Sequence, residues 1–326
     1  MNAIEIRGLS KSFRGHRALQ GISLEVPRGS VYGFLGPNGA GKTTAIKILM
    51  GLLNPSGGSA ALLGEEVRPG LSRELKKRIG YLPEEPAFPE ALTGREVLEF
   101  VGEVNGIPLQ ERGSRIDQLL ERFDLAAAAN RRVAGYSRGM KQRLGLACVL
   151  LPQPEVYILD EPVSALDPVG RLEVLELLAS LRGKATVFFS SHVLADVERV
   201  CDHVAVLYRG RLLMQSSLDN LLERYRRPRY RISFREAPPP GLADALRRHP
   251  WAGSVEAYPG ELVVEAAPGG LAQMEAELLP LLAGCGAVVT SYVREQEDLE
   301  MIFLKLLREA GYGEKEGGPA GESALH

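Results

Sequence analysis

Eight consecutive residues, Gly36-Pro37-Asn38-Gly39-Ala40-Gly41-Lys42-Thr43, restrict this chain more than any other segment. They fit the pattern G-x4-G-K-[ST], and their flanks are the ones that pattern needs. The apolar run Val31–Leu35 precedes them and reads as a buried strand, while Thr44–Met50 continues as a helix. Glycines let successive backbone N–H groups converge on phosphate oxygens, and a helix N-terminus adds partial positive charge. In that geometry Lys42 reaches the β- and γ-phosphates of a nucleotide and the Thr43 hydroxyl ligates Mg2+. The candidate nucleotide-binding residues are therefore Gly36, Pro37, Asn38, Gly39, Ala40, Gly41, Lys42, Thr43 and Thr44. A plain glycine-rich turn with a surface lysine would need neither flank.

A second acidic feature ends another apolar run. Val156–Leu159 reads as a buried strand, and Asp160-Glu161 follow at its C-terminal edge, where open α/β sheets bind ligands. Asp160 is placed to hold the Mg2+ shell. Glu161 is placed to orient or deprotonate the water that attacks a γ-phosphate. Alone the pair could be a solvated acidic turn; beside the glycine loop it points to Mg-nucleotide hydrolysis. Thr186–Phe189 is a third buried run. Short apolar runs alternating with helical patterns indicate a mostly parallel sheet with helices on its faces. Residues 92–151 read as a helical insert.

The rest of the chain has a different texture. With 326 residues, about two domains are expected. The basic run Arg224–Arg229 reads as a boundary, giving a first domain over 1–222 and a second over 223–310. The second reads strand, helix, two hairpin strands, helix, strand: a small α+β unit matching a ferredoxin-like βαββαβ order. A last amphipathic helix spans Leu299–Leu307, and the Gly- and Glu-rich tail from 311 to 326 reads as disordered. Thirty-nine Lys and Arg against 41 Asp and Glu exclude an overall basic nucleic-acid binder, so no nucleic-acid partner is expected. Three scattered cysteines argue against a disulfide framework and suit a reducing cytosol. A secretory signal is not expected at the N-terminus, and no apolar stretch approaches the roughly 20 residues of a spanning helix.

Further segments, in order, resemble the nucleotide-binding subunit of an ATP-binding-cassette transporter. Tyr136-Ser137-Arg138-Gly139-Met140-Lys141-Gln142-Arg143 is similar to the signature motif, and Ser164-Ala165-Leu166-Asp167 to the D-loop. Ser190-Ser191-His192 resembles the switch-histidine segment, and Ile79–Glu84 the Q-loop. Phe13 stands where the family stacks an aromatic on adenine. The match covers about residues 1–220. It implies a P-loop NTPase cassette, a RecA-like mixed sheet with a helical subdomain, that binds ATP and Mg2+. It implies Glu161, His192 and Lys42 as catalytic residues, and Thr43, Asp160 and Glu84 around Mg2+. Ser137, Arg138, Gly139 and Met140 would complete the nucleotide site of a second cassette, in a homodimer or a heterodimer with a related subunit, and Asp167 would be the D-loop aspartate.

Two departures stand out. Glu84 occupies the position that usually carries Gln, adding a charge near the metal. Arg138 and Met140 replace the commonest signature residues, and this variant resembles the subfamily of two-component exporters. The resemblance implies a separate transmembrane permease and a place on the cytoplasmic face of the membrane. A soluble translation-type cassette ATPase is the competing class, but such proteins carry two sets of these motifs in one chain. A chromosome- or repair-type ATPase needs a long coiled coil between Lys42 and Asp160, which is absent. A metabolic kinase explains neither the Ser137 segment nor Ser190-Ser191-His192.

Overall fold

The structure, a computed structural model, describes residues 1–225, 229–295, 299–310 and 312. Strands β1 (Asn2–Phe13) and β2 (His16–Pro27) open the chain, and β3 (Val31–Leu35) runs into α1 (Lys42–Leu49) through the glycine loop. Next come β4 (Gly57–Leu62), β5 (Glu65–Glu66), α2 (Arg73–Lys77) and β6 (Ile79–Leu82). Three helices follow without an intervening strand: α3 (Gly94–Val104), α4 (Leu109–Arg122) and α5 (Arg138–Leu150). Then come β7 (Val156–Leu159), α6 (Pro168–Ser180), β8 (Thr186–Ser191), α7 (Leu194–Val200), β9 (His203–Tyr208), β10 (Arg211–Ser217) and α8 (Leu218–Tyr225). The remaining elements are β11 (Arg229–Phe234), α9 (Leu242–Arg247), β12 (Ala252–Tyr258), β13 (Glu261–Ala266), α10 (Leu271–Gly284), β14 (Val289–Glu295) and α11 (Leu299–Glu309).

These elements form two compact units. One comprises Met1–Asp219 with the described residues from Leu307 onward; the other comprises Asn220–Leu306. The division thus falls three residues earlier than the basic run suggests, and the end of α11 groups with the first unit. Tyr312 packs its ring edge against Tyr208 at 4.7 Å, which ties this end down. The rest of the tail read as disordered lies outside the described residues.

The first unit holds a six-stranded sheet in the order β10-β9-β3-β8-β7-β6. Its pairings are parallel except at β10. Every residue of β3, β7 and β8 is buried, as expected for parallel strands covered on both faces. A second, antiparallel sheet runs β2-β1-β4-β5. Four register shifts along the β1–β2 pairing break its two-residue alternation, which hides these long strands from pattern reading. The first of the three inserted helices starts at a capping box, with the Thr93 hydroxyl accepting from Glu96 N and the Glu96 carboxylate from Thr93 N.

The second unit is one sheet in the order β12-β13-β11-β14, antiparallel throughout. Numbered within the unit, that is 2-3-1-4 with a helix after the first and third strands, the arrangement of a ferredoxin-like unit. Alternate residues of β11, namely Tyr230, Ile232 and Phe234, enter a core with Trp251, Leu262, Val264, Met274 and Leu278. Arg229, Arg231 and Ser233 take the other face.

Candidate nucleotide site

The loop between β3 and α1 is held by backbone packing that only glycine permits. Gly41 precedes α1 at φ 109°, and a Cβ there would lie 2.5 Å from the Ala18 carbonyl oxygen. A Cβ on Gly36 would lie 2.3 Å from the Leu207 carbonyl oxygen. Gly36 N donates to Ser191 O at the end of β8, and Gly210 N donates to Ala40 O. The loop is therefore clamped by β8 and by the β9–β10 turn. Lys42 folds back beneath it: Nζ donates to Gly36 O at 2.6 Å and lies 3.2 Å from Glu161 Oε1. Both side chains are buried, at 6% and 9% exposure.

The two carboxylates reach this point through strand register. Leu159 of β7 pairs with Phe189 of β8, so the next residues, Asp160 and Ser190, come side by side. Ser190 Oγ donates to Asp160 Oδ1 at 2.6 Å and accepts from Glu161 N at 2.9 Å. Glu161 takes a left-handed backbone, φ 48°, which costs an L-residue about 1 kcal/mol or more. Its carbonyl and that of Pro162 face the buried Gln142 amide of α5, the latter at 2.9 Å. On the side chain, Glu161 Oε2 meets His192 Nδ1 at 2.9 Å. Burial raises the Asp160 carboxyl above its ordinary range, opposed by the Ser190 and Thr43 hydroxyls and by Lys42.

Asp160 Oδ2 is buried and has no hydrogen-bond partner. A buried carboxylate oxygen left bare carries a desolvation penalty that a cation would offset. With the Thr43 hydroxyl beside it, the donor set is hard oxygen, suited to Mg2+. Among the described residues no group of three or more His, Cys, Asp or Glu converges to form a closed metal cage.

A cleft of about 370 Å³ opens over the loop, lined by residues 38–44 with Phe13, His16, Ala18, Glu84 and Glu161. Phe13 ends β1 and is 44% exposed, and the Lys11 ammonium lies 5.0 Å from its ring centre. Glu84 is exposed on the cleft wall. Ser137, Arg138, Gly139, Met140 and Asp167 do not line this cleft. Ser137 caps α5 by accepting from Met140 N, and Arg138 pairs with Glu85 at 3.2 Å. Asp167 caps α6 by accepting from Gly170 N and holds Arg143 at 3.0 Å. The Gly170 amide holds the Asp167 carboxyl below its usual range. His16, Gln142 and the bridging role of Ser190 escape sequence reasoning. His16 reaches the cleft only through the tight β1–β2 turn, and Ser190 depends on register between strands distant in sequence.

A glycine loop on a helix N-terminus, facing paired carboxylates at the edge of a parallel sheet, defines a P-loop nucleotide-binding protein. Residues 19–164 match the ABC transporter family. The chain is 40% identical over 308 residues to the uncharacterized ABC transporter ATP-binding protein YxlF of Bacillus subtilis (strain 168), covering 93% of this chain and 99% of that protein. It is 40% identical over 248 residues to the daunorubicin resistance ATP-binding protein DrrA3 of Streptomyces coeruleorubidus, covering 75% and 77%. A solved ATP-binding subunit of an ABC transporter superposes with a TM-score of 0.63 at 32% identity, covering 68% of this chain and 93% of that one. The chain belongs to the ATP-binding subunits of ABC transporters. Members of this family bind ATP and generally hydrolyse it. Among the described residues no helix is long and apolar enough to cross a membrane.

Proposed function

We propose that this chain is the ATP-hydrolysing motor subunit of an exporter, acting as a dimer beneath a separate membrane permease on the cytoplasmic face. The observation that carries the hydrolytic reading is Glu161, buried at the end of β7 between Lys42 Nζ and His192 Nδ1. Phe13 stacks on the adenine, and backbone N–H groups within residues 38–44 cradle the phosphates. Lys42 exchanges Gly36 O and Glu161 for β- and γ-phosphate oxygens. That exchange frees Glu161 Oε1, which accepts a proton from the attacking water. The water oxygen bonds to the γ-phosphorus as the bond to the β–γ bridging oxygen breaks, and ADP leaves with that electron pair. His192 orients Glu161 through Oε2 and senses the γ-phosphate. Thr43 and Asp160, with Glu84 from the cleft wall, would hold Mg2+, which would supply charge to screen the phosphates and polarise the γ-phosphoryl group.

Ser137, Arg138, Gly139 and Met140 lie at the start of α5, a helix N-terminus suited to a γ-phosphate in the partner cassette, with Asp167 at the seam. The export reading draws on the signature variant and on the relative named for daunorubicin resistance. The βαββαβ unit, over 223–310, serves as a dimerisation or regulatory domain; the 93% coverage by the B. subtilis relative reaches into it. In the decisive experiment, Glu161→Gln lowers ATP hydrolysis by about 10²- to 10⁴-fold while ATP binding persists and a dimer accumulates on size-exclusion chromatography. Full activity in that variant would sink the hydrolytic reading, and absence of a co-purifying membrane protein from native membranes would sink the motor-subunit reading.

A further inference from the structure

Ser190 has no part in the reaction outlined above, yet it touches both acidic residues of the site. It is fully buried at the end of β8, a strand that lies between β3 and β7. A serine hydroxyl offers one hydrogen and two lone pairs. Here the hydrogen goes to Asp160 Oδ1 at 2.6 Å, and a lone pair takes the Glu161 amide hydrogen at 2.9 Å.

Each bond has a distinct consequence. Occupying Oδ1 leaves Asp160 with a single bare oxygen, the buried Oδ2, and fixes the carboxyl plane. Holding the Glu161 amide secures a backbone at φ 48° that a glutamate does not adopt by preference. That conformation brings the Glu161 carboxylate between Lys42 and His192. The short, charge-assisted bond to Asp160 also satisfies one of the two oxygens of a carboxylate that burial would otherwise penalise.

We infer that Ser190 is a positioning residue for ATP hydrolysis: its one hydroxyl orients Asp160 toward the cation and Glu161 toward the attacking water at the same time. The inference rests on the hydrolytic reading of this site. It makes Ser190 a common support, so that its loss weakens cation binding and turnover together while leaving the phosphate loop intact.

The test uses the full chain. Ser190→Ala removes only the oxygen, and Ser190→Thr restores a hydroxyl. Mn2+ binding is followed by electron paramagnetic resonance with a non-hydrolysable ATP analogue present, alongside kcat, KM and analogue affinity in EDTA. Loss of a hydrogen bond that orients a metal-ligating carboxylate typically costs 10- to 100-fold in metal affinity or activity. We expect the Mn2+ Kd to rise and kcat to fall in that range in Ser190→Ala, with analogue affinity in EDTA unchanged and both losses largely reversed in Ser190→Thr. Wild-type Mn2+ affinity and kcat in a folded Ser190→Ala would overturn the inference. So would equal losses in the Thr and Ala variants. If Ser190→Ala does not fold, Ser190→Cys replaces it, a similar side chain with a weak donor, and the same outcomes decide. Equal rates for wild type and Glu161→Gln would instead defeat the hydrolytic reading itself, whatever Ser190 does.

Discussion

Two ion pairs, one in each unit, show how little distance says about strength. In the second unit Arg231 meets Glu295 at 2.5 Å, with the side chains 39% and 27% exposed. In the first, Lys42 and Glu161 stand 3.2 Å apart, at 6% and 9% exposure. The longer pair is the more consequential. Water screens the Arg231 pair and would solvate either partner alone, so exposed pairs of this kind are worth about 0–1 kcal/mol. Lys42 and Glu161 have given up most of that solvation, and each depends on the other. A buried pair of this kind is weak evidence for stability. It suits the exchange of partners proposed for this site.

The sharpest way to break the contrast is Lys42→Met. It keeps the bulk and leaves the Glu161 charge buried without its cation, which should lower unfolding stability by about 3–5 kcal/mol. Urea denaturation measures this, and adding Glu161→Gln to that background should recover most of the loss. A fluorescent ATP analogue should also bind more weakly to Lys42→Met. In the second unit, Arg231→Gln should shift the urea midpoint by much less, although it removes contacts to Glu261 and Glu295 at once. A loss as large as that of Lys42→Met would mean that exposure fails to separate the two pairs.

The smallest effect is one of pH. The hydrogen bond from Arg231, helped by Ser233, holds the Glu261 carboxyl below its usual 4.5. A carboxyl lowered in the folded state stabilises it above the unfolded value, and that contribution is lost as pH falls through the folded value. Stability of the wild type relative to Glu261→Gln should therefore be constant at neutral pH and shrink below about 4.5. A difference that grows toward acid pH would reverse the assignment.

What could be read directly from the amino acids follows from the range of the interactions involved. The phosphate loop is contiguous, and its strand, glycines and helix are all written within twenty residues, so its place at the tip of β3 is legible. Asp160 and Glu161 are legible because they end an unbroken apolar run. The parallel sheet and the βαββαβ order follow from the same patterns. Ser190 is written as plainly, but its contact depends on the pairing of β7 with β8, which no local pattern specifies. Gln142 joins α5 to the turn after β7 and shares that obscurity. The long β1–β2 hairpin is masked by its irregular register, and with it the approach of His16 to the cleft. The positive φ of Glu161 breaks a local rule, and nothing in the residue type announces it.

The order β3-β8-β7 carries a consequence for scale. The strand bearing the phosphate loop and the strand bearing the carboxylates are separated by one whole strand, so their tips stand two inter-strand steps apart, about 9.6 Å. Were they neighbours, the two tips would stand about half that far apart. β8 thus acts as a gauge block, setting the jaw width of the site by the repeat distance of a hydrogen-bonded sheet.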